Sequence, residues 1–126
     1  MRYRIPCIAL VAAAFTALPS TALAKQSCGD VPFRDRTQAP QNAAGLIFVP
    51  RGDVFRIWDN KRDNYLVRIW FNYAGIADRW KYAGSPSDGG QGPIVRNVKE
   101  HRQICFYVST DSPKYGNSPV VRYRTS

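Results

Sequence analysis

Phe55-Arg56-Ile57-Trp58-Asp59-Asn60 and Val67-Arg68-Ile69-Trp70-Phe71-Asn72 repeat one pattern at an offset of twelve residues. In a strand, successive side chains point to opposite faces, so each Arg shares a face with its Trp while the Ile between them points the other way. Over 64–73 the alternation is longer still. Tyr65, Val67, Ile69, Phe71 and Tyr73 form one face, and Leu66, Arg68, Trp70 and Asn72 the other. The first set has the composition of a core face, and a period of two sustained this far predicts a half-buried β-strand.

Between the two copies, 59–63 has the Asp and Asn content of a turn, so the pair predicts a hairpin. Matching register would place Arg56, Trp58, Arg68 and Trp70 on one face, joined by Arg122 and Arg124 from the last strand. Like charges opposed on a sheet are unfavourable. Such a cluster calls for Arg–indole stacking, for a carboxylate such as Asp53, or for an anionic ligand. These six residues are the candidate ligand-binding set.

Working outward, aromatic and β-branched runs at 45–49, 53–58, 64–73, 93–98, 102–109 and 119–124 are separated by turn clusters at 50–52, 59–63, 85–92 and 111–117. The fold class is all-β, a small antiparallel sandwich or barrel of about six or seven strands. Residues 74–82 suit either a strand or one short helix. Residues 25–44 lack sustained periodicity and are expected to form an extended N-terminal arm. In 102–109, Ile104, Phe106 and Val108 should face inward, with Cys105 and Tyr107 on the opposite side.

The chain opens with Arg2 and Arg4, an apolar run from Ile5 to Leu18, and Ala22-Leu23-Ala24 before Lys25. That order predicts a secretory signal peptide over 1–24 and a single domain over 25–126. The run is shorter than the roughly 20 apolar residues that span a bilayer, so no integral membrane segment should survive cleavage. The expected location is periplasmic or extracellular. Cys7 leaves with the leader, and the remaining pair, Cys28 and Cys105, is expected to be bonded in an oxidising compartment.

The whole chain carries a net charge of +9, and without Arg2 and Arg4 it keeps 16 basic against nine acidic residues, or +7. Eleven of those 16 are Arg, whose planar fork suits carboxylate and phosphate partners. Nucleic acid fits the charge but is not the favoured partner. No metal site or cofactor is expected, because His101 is the only His and Lys61 and Arg62 interrupt the oxygen donors of 59–64. Glu100-His101-Arg102 is the weak catalytic candidate, holding the groups of a metal-free ribonuclease. Adjacent strand residues point apart, which opposes their acting on one phosphate.

The function expected from these features is that of an exported, non-catalytic binding module. Its partner would be an anionic envelope or glycan component, or a protein whose surface it occupies as an inhibitor does. The alternatives are a small secreted hydrolase, ribonuclease-like or glycosidase-like, using His101 with Glu100 or an Asp, and an assembly protein pairing through a β edge.

Overall fold

The computed structural model describes residues 28–76 and 79–126. The signal peptide expected over 1–24 lies outside the described residues. Eight strands follow one another: β1 (Arg36–Gln38), β2 (Ala44–Val49), β3 (Val54–Asp59), β4 (Val67–Tyr73), β5 (Lys81–Gly84), β6 (Gln91–Val95), β7 (Gln103–Thr110) and β8 (Val121–Arg124). They form two four-stranded sheets, β1-β2-β3-β6 (sheet I) and β5-β4-β7-β8 (sheet II), and every ladder in them is antiparallel. The two sheets face each other as a sandwich, and among the described residues the only helical element is the single 3-10 turn Pro40–Asn42.

Alternation explains the core. Leu46, Phe48, Phe55 and Ile57 come from sheet I, and Val67, Ile69, Phe71, Ile104, Phe106 and Val108 from sheet II, all buried in one cluster. Phe55 is the hub. Its ring centroid lies 4.9 Å from Phe48 in its own sheet, and 5.6 Å and 6.2 Å from Phe71 and Phe106 across the sandwich.

The hairpin between the two Arg-Ile-Trp segments does not form. β3 pairs with β2 and β6, whereas β4 pairs with β5 and β7. A period of two determines which face of a strand is apolar and leaves its partner open. Ile57 and Ile69 both reach the core, but from opposite sheets, so their Arg and Trp neighbours point out from opposite sides of the sandwich. The short helix allowed over 74–82 is also absent among the described residues, because 74–75 is a turn with Gly75 at φ 84° and Lys81–Gly84 pairs with β4. Ala77 and Asp78 lie outside the described residues. The strand expected at 93–98 sits earlier, at Gln91–Val95, and β4 begins at Val67 because Asn64 takes a positive φ of 60°.

The arm is tied to both sheets. Cys28 and Cys105 form a disulfide spanning 77 residues of sequence. Cys105 points away from the main core and is buried only because Cys28 and Val31 cover it, with Ala74, Trp80 and Val120 packed around them. Phe33 then bridges Arg122 in parallel, with Arg34 N–H donating to Arg122 C=O and Arg122 N–H to Pro32 C=O, both at 2.9 Å. From there the chain crosses to sheet I as β1. Among the described residues no helix is long and apolar enough to cross a membrane.

Candidate functional site

Sheet I turns Arg36 and Gln38, Gly45, Ile47 and Val49, Val54, Arg56 and Trp58, and Gln91, Pro93 and Val95 outward. Register aligns them in rows, Arg36–Ile47–Arg56–Pro93 and Gln38–Gly45–Trp58–Gln91. Between β2, β3 and β6 lies an open groove of about 310 Å3, lined by Ile47, Arg56, Trp58, Gln91, Gly92 and Pro93. Trp58 stands opposite Gly45, and a Cβ on Gly45 would come within 2.0 Å of its ring atom Cζ2. Only glycine at 45 lets the indole lie flat on the sheet. Asn42 Oδ1 accepts from its Nε1 at 3.4 Å.

Arg56 is exposed, and among the described residues no hydrogen bond or ion pair engages its guanidinium. Arg36 differs. Its Nε bonds Asp35 Oδ1 at 3.1 Å, and that hydrogen bond, with the charge behind it, holds the Asp35 carboxyl below its ordinary range. The row therefore contains one compensated cation and one uncompensated cation, with Ile47 between them.

The second Arg–Trp pair has a different setting. On the outer face of sheet II, Arg68 is paired with Asp111, and Trp70 Nε1 donates to Ser109 Oγ at 2.9 Å. Trp70 packs at 5.6 Å against Tyr82, while Trp80 meets Tyr107 edge-on at 4.8 Å. Arg122 is held under the arm, with its Nη1 donating to Gln103 Oε1 at 3.3 Å and its guanidinium 6.0 Å from the Phe33 ring. Its Nε is buried and finds no partner among the described residues. Arg124 is exposed at the end of β8, opposite Gln103. The six residues expected to act together are thus divided, Arg56 and Trp58 on one side and Arg68, Trp70, Arg122 and Arg124 on the other.

Comparison with protein-family models, with curated proteins and with solved structures finds no match. What the site can do follows from its own side chains.

Glu100, His101 and Arg102 are all exposed at a turn, with His101 at φ 53°. Their backbone is fixed by the C-terminus, His101 N–H donating to Ser126 C=O at 3.3 Å and Arg102 N–H to Thr125 Oγ1 at 2.8 Å. Among the described residues no hydrogen bond engages the three side chains, and they do not line the groove. In the 59–64 stretch the carboxylates cap their own turn: Asp59 Oδ1 accepts from Lys61 N–H at 3.0 Å and Asp63 Oδ1 from Tyr65 N–H at 3.1 Å. Among the described residues no three His, Cys, Asp or Glu side chains converge.

Gln91, Gly92 and Pro93 were not legible as site residues, because Gln91 and Gly92 fall in the turn cluster 85–92, Pro93 only opens the strand expected at 93–98, and nothing in their spacing points to β3. Gly45 carries a direct test of the groove. Gly45→Ala should displace the Trp58 indole, lowering stability by about 1 kcal/mol although removing a strand glycine ordinarily helps. Urea unfolding combined with tryptophan emission checks this, and a more stable protein with unchanged emission would refute the seating of the indole.

Proposed function

We propose that the protein is an exported, non-catalytic binding module that takes an anionic ligand on the outer face of sheet I, at Arg56 and Trp58. The observation that carries this reading is the uncompensated Arg56 guanidinium standing beside an indole in an open groove. A cation left unpaired next to apolar surface is poised for a carboxylate or phosphate, which would form a charge-assisted, forked pair with it. The excess of basic residues would draw such a ligand in. A disulfide is the kind of bond that persists in oxidising compartments, which supports export.

The test separates a site from bulk charge. Binding of polyuronate, polyglutamate and polyphosphate should be measured for wild type, Arg56→Ala and Arg51→Ala, all at about 0.15 M salt where exposed charges are screened. Both variants lose one exposed positive charge, but Arg51 sits in the β2–β3 turn, away from the groove. Losing one charge-assisted bond of about 1.5 to 3 kcal/mol should cost Arg56→Ala roughly tenfold or more in affinity for at least one polymer, and Arg51→Ala about twofold at most. Equal losses in both variants would leave net charge as the whole explanation.

A further inference from the structure

Resting on that reading, we infer that the ligand is an acidic polysaccharide, bound as a uronate unit whose sugar ring lies on Trp58 and whose carboxylate meets Arg56. The strand under the groove decides between a sugar and a peptide. β3 is internal to sheet I, paired with β2 along one side and β6 along the other. Its ladder bonds are already made. An extended acidic peptide laid there would find no strand edge to pair with and would bury its own amides without partners. The nearest edge, β6, has Pro93 in its middle, which removes a donor.

A pyranose ring has no such requirement. Its C–H face is apolar and packs on an aromatic face, and its hydroxyls project sideways toward polar side chains. The groove supplies both kinds of surface. The Trp58 indole lies flat over Gly45, Ile47 and Pro93 give apolar walls, and the exposed Gln91 carboxamide stands in the same row as Trp58, offering a donor and an acceptor. Arg56 is in the neighbouring row, two residues along β3 from Trp58, a step of roughly 7 Å, within reach of a carboxylate carried on a ring seated over the indole. A volume of about 310 Å3 matches the small-ligand range.

The experiment is equilibrium binding of the oxidised chain to polygalacturonate, to the same polymer with its carboxyls reduced to alcohols, and to polyglutamate. Wild type, Arg56→Ala, Arg56→Lys and Trp58→Leu are compared, the last keeping an apolar cover over Gly45 while removing the flat ring. Expected are binding of polygalacturonate and about tenfold weaker binding of the reduced polymer. Arg56→Ala and Trp58→Leu should each lose about as much, and Arg56→Lys less, because an ammonium keeps the charge without the fork. Arg56-dependent binding of polyglutamate as tight as that of polygalacturonate, or unaffected by Trp58→Leu, would overturn the sugar assignment and leave the anion site standing. No dependence on Arg56 with any polymer would overturn both.

Discussion

Cys28→Ala with Cys105→Ala should lower the free energy of unfolding by about 4 to 5 kcal/mol, the chain-entropy value for a bond closing a loop of this length. The bond joins residues 77 apart in sequence, so all of the described chain except 106–126 lies inside the loop it closes. A domain of this size has about 5 to 15 kcal/mol in total, so the reduced protein should be close to the edge of folding. Denaturant titration of oxidised, reduced and double-Ala protein checks the magnitude. The arm should loosen first, since without the bond its hold on sheet II rests on non-covalent contacts such as Val31, the Phe33–Arg122 bridge with its two backbone hydrogen bonds, and the Phe33–Tyr123 ring pair. Hydrogen exchange at the Arg34 and Arg122 amides reports that step. Equal stability with and without the bond would show that the arm contributes little to the folded state.

Phe55→Ala should cost about 3 to 5 kcal/mol, the range for removing a buried aromatic ring. Phe55 is fully buried and touches three other phenyl rings, two of them from the opposite sheet. Its loss opens a cavity where both sheets meet, and strands held in paired ladders have little room to collapse into it. The comparison is Phe33→Ala, since Phe33 is 54% exposed and sits over Arg122 at the rim. Urea midpoints should move far for Phe55→Ala and little for Phe33→Ala, with slopes unchanged. Similar shifts for both would mean that the four-ring cluster is not the centre of stability.

Much of the architecture was legible because the information was local. The inward sets Val67, Ile69, Phe71 and Ile104, Phe106, Val108 follow from alternation alone, as does the outward Cys105 that the arm then covers. The sheets themselves were not legible. Two strands of identical pattern separated by a short polar turn are as compatible with a hairpin as with a crossing between sheets, and nothing in Arg-Ile-Trp records which neighbour supplies the hydrogen bonds. Short strands were missed or displaced for a related reason. Arg36–Gln38 is too brief to show a period, and the strand expected at 93–98 begins earlier, at Gln91, because Gly92 and Pro93 ordinarily mark loops. The groove depended on those unseen pairings, so Arg56 and Trp58 could be picked out from the sequence while Gln91 and Pro93, their partners across the ladder, could not.

The bond between the arm and β7 also sets how the molecule bears load. Tension applied between Cys28 and Ser126 passes through the sulfur atoms directly to Cys105, so residues 29–104 are shielded from it. Only 106–126, the outer part of β7 with β8, can be drawn out. At about 3.5 Å per residue that segment has an extended length of roughly 75 Å, against roughly 340 Å for the chain from Cys28 to Ser126 once the bond is reduced. Val54–Asp59, with Arg56 and Trp58, belongs to the shielded part. The strand that presents Arg56 and Trp58 therefore carries no tension while the C-terminal end of the oxidised chain is pulled, and the bonded loop passes the load by.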